Sequence, residues 1–348
     1  MHILYFFLLD LSIYHFNSNY FKFLFQRPAL KPSTKFGLPT TEDNQFHPLL
    51  IIPFQGWWTE TAPAKAPGLK FHTDPVQHKW MQQLVTPAVA VGLPLIYVVA
   101  VMLGSRVQAN HGVSHKPFLK KYVQPIYNVV QIIVCAWMVW GLWPEDPINN
   151  PFSLNSLPSK NVEYFVFIHY LTKYLDWCDT TFMILGKNFR QVSFLQVFHH
   201  ATIGMVWGLV LDSGWGSGTV AWGAFINSVT HVFLYSHYFV TSLGFKNPFK
   251  KGLFAFQQLQ FLSCIVHAVL VFGGSKLGTE SVYPRHLSWL QVLYHPVMLF
   301  LFGTQLYWVP SWLIGETATH EIKVSMTEAK AKKMKKTIST AGTKKKVQ

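Results

Sequence analysis

The sequence is poor in charged residues, which make up only 13% of its 348 positions. Soluble domains carry about a quarter, so the composition argues against soluble domains even though the length would allow one or two. Cysteine is scarce as well. Cys135, Cys178 and Cys264 form neither the paired framework of a secreted scaffold nor a CxxC metal motif. We therefore expect three free cysteines within a membrane protein.

The uncharged residues are grouped in long stretches. A membrane-spanning helix needs about 20 residues without charge. Six stretches meet this condition when histidine is counted as neutral, namely residues 81–105, 122–144, 191–211, 213–245, 252–275 and 286–315. A seventh hydrophobic stretch, residues 164–186, carries Lys173, Asp176 and Asp179. The sequence therefore predicts an all-α membrane protein with seven transmembrane helices.

The loops between these stretches differ in charge. Those after the first, third and fifth stretches hold nine basic and no acidic residues, whereas those after the second, fourth and sixth hold three basic and five acidic residues. Because cytoplasmic loops collect Lys and Arg, we predict a cytosolic C-terminus and an N-terminus on the opposite side. We divide the chain into a poorly defined N-terminal extension (1–80), a seven-span domain (81–315) and a basic disordered tail (316–348).

The tail supplies about half of the formal charge of +14. Since the excess lies there and in loops next to the membrane, anionic lipid heads or phosphate-bearing ligands are better partners than nucleic acid. The chain ends Lys345-Lys346-Val347-Gln348, which matches a dilysine retrieval signal. We therefore predict a multi-pass protein of the endoplasmic reticulum membrane.

Several polar side chains lie inside the predicted spans, where they are costly and usually functional. Spacings of three or four place them on one face of each helix. The set comprises Lys173, Asp176, Asp179, Gln196, His199, His200, Asn227, His231, Tyr235, Tyr238, Gln257 and Gln260. With a rise of 1.5 Å per residue, most of them lie roughly 10–15 Å from the cytosolic ends of their spans. We predict one shared polar site there, and packing roles for His267 and His295.

In these motifs the sequence resembles the ELO family of membrane fatty-acid elongases, which act as 3-ketoacyl-CoA synthases. The family's Lys-x-x-Glu-x-x-Asp-Thr, His-x-x-His-His, Asn-x-x-x-His-x-x-Met-Tyr and Thr-x-x-Gln-x-x-Gln motifs occur in that order. The departures are Asp176 for Glu, Gln196 for His, Leu234 for Met and Phe254 for Thr. Gln at the first histidine position is similar to microalgal elongases selective for C18 Δ9-polyunsaturated chains.

The resemblance implies seven helices enclosing an acyl-chain tunnel. It also implies the condensation of acyl-CoA with malonyl-CoA to 3-ketoacyl-CoA, carbon dioxide and CoA. A neutral imidazole can attack a thioester. We assign that role to His200, with His199 and His231 acting on the malonyl group, although His199 and His200 could be exchanged. Asp176 or Asp179 would orient a histidine.

Substrate contacts would come from the remaining polar side chains and from cytosolic cations that face the CoA phosphates. These residues are Lys173, Gln196, Asn227, Tyr235, Tyr238, Gln257, Gln260, Lys187, Arg190, Lys250 and Lys251. Malonyl-CoA is a co-substrate, and no metal or other cofactor is implied. The expected partners are membrane lipids and the ketoreductase, dehydratase and enoyl reductase of the elongation cycle, with a homodimer as a further assembly.

Two other classes of membrane protein share features with this sequence. A membrane di-iron desaturase or hydroxylase also has histidine boxes, but this sequence lacks a second box and carries Gln196 in the first. A seven-span receptor or retinal protein would share the topology, yet the last predicted span has no lysine for a Schiff base. We therefore favour condensation, with the di-iron class as the alternative.

Overall fold

The computed structural model describes residues 79–154, 159–246, 248, 250–273, 285–304 and 308–345. Most of the N-terminal extension and the end of the dilysine motif thus lie outside the described residues. The regular structure within these ranges is helical. The α-helices are α1 Lys79–Val85, α2 Pro87–Asn110, α3 Lys116–Gly141, α4 Lys160–Leu175, α5 Trp177–Leu185, α6 Phe194–Asp212, α7 Ala221–Ser242, α8 Lys250–Gly273, α9 Arg285–Gly303, α10 Ser311–Ile314 and α11 Glu316–Lys345.

Four helices are long and apolar enough to cross a membrane: α2, α3, α6 and the Gly252–Phe272 part of α8. Helices α2 and α3 also leave large apolar side chains uncovered, among them Leu95, Ile96, Ile126 and Ile133, each more than 60% exposed. Side chains of this kind are stable against lipid and unfavourable against water. These features identify a multi-pass membrane protein.

The other three predicted spans also contain helices, but these are less suited to lipid. The stretch 164–186 is divided into α4 and α5, α7 carries several polar side chains, and the apolar part of α9, Leu287–Gly303, is short for a span. The all-α class is thus confirmed, whereas the count of seven spans stays a prediction.

The helix that carries the histidine pair, α6, lies at the centre of the bundle. It packs against α2, α4, α5 and α9. Its closest approach is to α2 at Gly208, where an added Cβ would lie 2.6 Å from the Cβ of Ala90. Small residues at a crossing point let two membrane helices approach closely. This packing surrounds the histidines with polar side chains from neighbouring helices.

The junction of α4 and α5 falls at Asp176. This residue ends α4 and precedes α5, and its backbone N–H donates to the carbonyl of Thr172 (2.9 Å). The Asp179 N–H then donates to the Asp176 carbonyl (3.2 Å) in place of a regular α-helical bond. The regular α-helical hydrogen bonding is therefore interrupted at Asp176, whose side chain is buried.

The tail differs from the prediction of disorder, because residues Glu316–Lys345 form α11. Its first turns pack against α2 and the short 3₁₀ turn Phe189–Gln191, with Ala318 fully buried. Glu321 anchors this part through Lys187, whose Nζ lies 3.1 Å from the carboxylate. Tertiary contacts thus order a segment whose composition alone favours no fold.

Candidate active site

A buried ion pair forms the centre of the polar site. The Lys173 Nζ lies 3.1 Å from Asp176 Oδ2 and donates to Asn227 Oδ1 at 2.9 Å. Only 2% of the Lys173 side chain and 6% of the Asp176 side chain are exposed. His231 approaches the same carboxylate oxygen, with its Nδ1 3.8 Å away. The predicted neutralisation of one aspartate by Lys173 is therefore present.

The second carboxylate belongs to the same network. The Tyr235 hydroxyl lies 2.9 Å from Asp176 Oδ1 and 2.8 Å from Asp179 Oδ2, so it bridges the two aspartates. Two residues of α3 complete the network: Gln131 Nε2 is 2.9 Å from Asp176 Oδ1, and the Tyr127 hydroxyl is 3.4 Å from Asp179 Oδ2. Buried charges are stable only when paired and hydrogen-bonded. Asp176 has both kinds of partner, whereas the Asp179 carboxylate is contacted by the hydroxyls of Tyr127 and Tyr235.

Tyr127 and Gln131 were missed at the level of sequence. They are one helical turn apart, and Gln131 Nε2 donates to the Tyr127 hydroxyl at 2.9 Å. Their spacing in an otherwise uncharged stretch is the signal that could have identified them. Their contribution is to hold the carboxylates, because each meets an aspartate oxygen.

The two histidines of the pair have different surroundings. Gln196 Nε2 lies 2.8 Å from His200 Nε2, so an amide N–H occupies that ring nitrogen. The Trp177 indole N–H donates to the His200 carbonyl at 2.9 Å, which fixes α5 against α6 beside Asp176. His199 lines a cavity, whereas His200 is not among the residues that line it. The Nδ1 atom of each ring is buried and has no hydrogen-bond partner among the described residues.

A cavity of about 60 Å³ is lined by α6 from His199 to Val210. Its polar lining includes His199, Asn227 and Gln260, and its apolar lining includes Val210 and Val220. His199 and Val210 are eleven residues apart in one helix, a distance of about 16 Å at 1.5 Å per residue. Apolar side chains make up most of the deeper wall, with Ile203, Val206, Trp207, Gly223, Leu287 and Leu290 among them.

Asn227 joins the ion pair to the cavity, because it accepts from Lys173 and also lines the cavity wall. The predicted residues Gln260, His199 and Asn227 therefore line one cavity. Gln257 is not part of the cavity wall, and no described contact joins it to the network. Tyr238 is 36% exposed at the edge of the site, with its ring 5.9 Å from that of Tyr235.

The predicted CoA-binding cations differ in their surroundings. Arg190 and Lys250 are exposed, as a phosphate site requires, whereas the side chain of Lys251 lies outside the described residues. Lys187 donates to the Ala109 carbonyl (3.3 Å) and pairs with Glu321. Lys187 therefore fastens α11 to the bundle in this structure, and its assignment to CoA alone does not account for these contacts.

The expectation that His267 and His295 only pack was incomplete. His267 Nε2 lies 2.8 Å from Thr219 Oγ1, and its Nδ1 lies 3.1 Å from Gln291 Nε2. His295 lines the cavity, and its Nδ1 lies 2.9 Å from the Gln291 carbonyl. Gln291 precedes His295 by one helical turn, so this spacing was visible in the sequence.

No group of three or more His, Cys, Asp or Glu side chains in the described ranges is arranged to hold a metal ion. The three cysteines, Cys135, Cys178 and Cys264, are free. The site thus consists of a histidine facing a deep apolar cavity, a second histidine held by an amide, and a buried lysine–carboxylate pair beside a third histidine. These are the elements of acid–base or nucleophilic chemistry on a lipid-like substrate.

Comparison with known proteins agrees with this description. Residues 81–309 match the model of the ELO: GNS1/SUR4 family. The chain is 36% identical to "Fatty acid elongase 5" of Leishmania major over 225 residues, which cover 65% of this chain and 86% of that protein. It is 43% identical to "Fatty acid elongase 5" of Trypanosoma cruzi over 180 residues (52% and 69%), and 28% identical to human "Very long chain fatty acid elongase 1" over 248 residues (66% and 84%).

The chain therefore belongs to the ELO (GNS1/SUR4) family of fatty-acid elongases. The family resemblance read from the four motifs is confirmed, and so is the prediction of a membrane-bound acyltransferase. The di-iron desaturase alternative is not favoured, since these relatives carry the elongase name.

Proposed function

We propose that the protein condenses an acyl-CoA with malonyl-CoA to give a 3-ketoacyl-CoA two carbons longer, with release of carbon dioxide and one CoA. The observation that carries this proposal is the position of His199 in the wall of a mostly apolar cavity that Asn227 and Gln260 also line. A thioester at His199 would place the first part of its acyl chain against apolar side chains of this cavity, whose volume of about 60 Å³ is too small for a whole C18 chain.

We assign the acyl-carrying role to His199 rather than to His200. A nucleophilic nitrogen must be able to reach the thioester, and His199 lines the cavity whereas His200 is not among its lining residues. The Nδ1 atoms of both rings are buried without a hydrogen-bond partner among the described residues, and His200 differs in that its Nε2 also contacts the Gln196 amide. His200 is then a positioning residue whose ring is fixed relative to His199, 5.7 Å away between ring centroids.

The reaction on this assignment has two steps. In the first, the His199 ring nitrogen bonds to the thioester carbon, the C–S bond breaks, and CoA leaves as the thiol after taking up a proton. In the second, the C–CO₂ bond of malonyl-CoA breaks, and its electron pair forms the new C–C bond to the acyl carbon. The C–N bond to His199 then breaks with its electron pair on the ring nitrogen, and uptake of one proton from water regenerates the neutral imidazole.

Residues around His231 suit the malonyl half-reaction. The enolate that forms on loss of carbon dioxide carries negative charge on oxygen, and preorganised donors stabilise such charge. His231 and Lys173 lie at the Asp176 carboxylate and can offer N–H groups from that position. Asp176 holds both, while Asp179 and Tyr235 fix the far side of the carboxylate.

The location and substrate subtype follow from sequence features. We infer seven spans, a cytosolic C-terminus and residence in the endoplasmic reticulum, on the basis of the alternating loop charge and the dilysine end. The exposed Arg190 and Lys250 would then meet CoA phosphates from the cytosol. Gln196 supports a preference for C18 Δ9-polyunsaturated primers, and the expected partners are the other elongation-cycle enzymes and a second copy of the chain.

The direct test is a condensation assay with the purified full-length protein in detergent. An acyl-CoA and malonyl-CoA labelled in its free carboxyl carbon should yield labelled carbon dioxide and a 3-ketoacyl-CoA in equal amounts. The same assay with a set of C16 to C20 primers, saturated and unsaturated, measures substrate preference. Absence of ketoacyl product with every primer would contradict the proposed reaction, and equal rates for all C18 chains would contradict the subtype.

A further inference from the structure

Three polar side chains of α9 line the otherwise apolar middle of the cavity. Gln291, Tyr294 and His295 are spaced by three and four residues, so they occupy one face of the helix. Across the cavity from them, α6 contributes Ile203 and Val206. A plain hydrocarbon chain can form no hydrogen bond with this polar band, and burying unpaired polar groups against hydrocarbon is unfavourable.

The proton of His295 can be placed from its neighbour. Its Nδ1 lies 2.9 Å from the backbone carbonyl of Gln291. A carbonyl oxygen only accepts, so Nδ1 carries the hydrogen in this contact. In a neutral imidazole the other nitrogen, Nε2, then has a lone pair and no hydrogen. His295 therefore offers an acceptor.

The proton of Tyr294 follows from a second fixed acceptor. Thr202 Oγ1 lies 2.7 Å from the carbonyl of Phe198 and uses its only hydrogen there. The Tyr294 hydroxyl lies 3.1 Å from Thr202 Oγ1, so Tyr294 is the donor of that pair. Its oxygen retains lone pairs and has no second hydrogen to give. Tyr294 is therefore an acceptor as well.

Gln291 completes the band. Its Nε2 donates to the carbonyl of Cys264 at 2.9 Å and lies 3.1 Å from His267 Nδ1, so both amide hydrogens are engaged. His267 then donates from Nε2 to Thr219 Oγ1 at 2.8 Å. The Gln291 amide oxygen also lies 3.3 Å from His267 Nδ1, so the whole amide is held by Cys264 and His267. Tyr294 and His295 thus present acceptors, and their own hydrogens are directed to other protein groups.

A wall of acceptors recognises a ligand that carries a hydrogen-bond donor. We propose that the cavity accepts acyl chains that bear a hydroxyl group between the thioester and the middle of the chain, and that this hydroxyl donates to Tyr294 or His295. The proposal rests on the proposed function, in which the thioester lies at His199. Tyr294 meets α6 at Thr202, about 4.5 Å beyond His199 at 1.5 Å per residue, and Gln291 lies one turn deeper, so the band faces carbons up to about the middle of the chain and not its end.

The experiment compares three C18 acyl-CoAs with the purified full-length protein: octadecanoyl-CoA, a derivative with a hydroxyl near mid-chain, and one with the hydroxyl on the terminal carbon. For each, kcat/KM is measured in the wild type and in Tyr294→Phe, which keeps the ring and removes the oxygen. Tyr164→Phe, at a Tyr that is 40% exposed and does not line the cavity, is the matched control.

The wild type should use the mid-chain hydroxyl derivative in preference to the terminal one. Tyr294→Phe should lower the ratio of mid-chain hydroxyl to plain chain about fivefold, the effect of one net hydrogen bond, and Tyr164→Phe should leave that ratio as it is. An equal ratio in wild type and Tyr294→Phe, or no preference between the two hydroxyl positions, would overturn the inference and leave these groups as links between α8 and α9.

Binding is measured on the same samples as the rise in Tm that each acyl-CoA produces. This readout separates the two proposals, because it does not depend on turnover. If no acyl-CoA is elongated but the mid-chain derivative still raises Tm most, and Tyr294→Phe removes that difference, the condensation proposal fails and the inference stands. If all chains are elongated and raise Tm alike, the inference fails and the condensation proposal stands.

Discussion

Replacing Lys173 with methionine removes the cation from the buried ion pair. The change leaves the Asp176 carboxylate, whose side chain is 6% exposed, without its 3.1 Å partner. It also leaves Asn227 Oδ1 without its 2.9 Å donor. Removing one member of a buried pair typically costs about 3–5 kcal/mol, because the remaining charge has lost both water and its partner. We therefore expect a clear fall in the free energy of unfolding.

If the unpaired Asp176 charge causes the loss of stability, removing that charge as well should restore part of the stability. The double variant Lys173→Met with Asp176→Asn removes both charges and keeps an oxygen that can accept from Gln131 and Tyr235. It should regain at least half of the lost stability, whereas additive single effects would lower it further. Lys160→Met, at an exposed lysine on the same helix, is the matched control and should lie within about 0.5 kcal/mol of wild type.

The assay is denaturant or thermal unfolding of the purified protein in one detergent, followed by tryptophan fluorescence. It compares the wild type, Lys173→Met, Asp176→Asn, the double variant and the control. A Lys173→Met variant as stable as Lys160→Met would refute the account of the ion pair. A double variant less stable than Lys173→Met would show that packing or hydrogen bonding, rather than the unpaired charge, dominates at this position.

The remaining predictions concern packing and the histidine pair. Gly208→Ala should destabilise the fold by about 1–3 kcal/mol, since its methyl group would lie 2.6 Å from the Ala90 Cβ. Gly92→Ala is the control and should not destabilise the fold, because nothing lies within 4 Å of the added carbon. Equal Tm values for the two variants would contradict the close α2–α6 contact. Gln196→His should keep part of the condensation activity, because an imidazole can also donate to His200. Gln196→Leu should lose more of that activity. Equal condensation rates for the two variants would show that the 2.8 Å contact does not orient His200. If Gln196 sets substrate choice, the products of Gln196→His, separated by gas chromatography, should shift in chain length or unsaturation.

The similar depth of Asp176, His199 and His231 could be predicted from sequence because depth depends on helix geometry alone. The rise per residue gives the depth of each group from the end of its span, and steps of three and four give its face. Lys173 and Asp176, three residues apart, illustrate the result, since their ion pair needs no knowledge of other helices.

Lateral neighbours could not be predicted in the same way. Which helices touch is decided by side-chain packing, so the approach of Gln131 to Asp176 and the cavity between α6 and α9 are not encoded in hydropathy. The helix break at Asp176 could not be predicted from hydrophobic periodicity, because it spans a single residue. The ordering of α11 depends on Lys187, whose pairing with Glu321 joins positions far apart in the chain.

The central claim is that His199 carries the acyl group as a covalent intermediate until malonyl-CoA reacts with it. Incubation of the purified protein with an acyl-CoA alone, followed by mass spectrometry of the intact protein and of its peptides, tests it directly. The account predicts release of free CoA, a mass increase of one acyl group, and an adduct on the His199 peptide that is lost in His199→Ala and discharged by malonyl-CoA. An unmodified protein that still forms 3-ketoacyl-CoA, or an adduct that persists in His199→Ala, would contradict it.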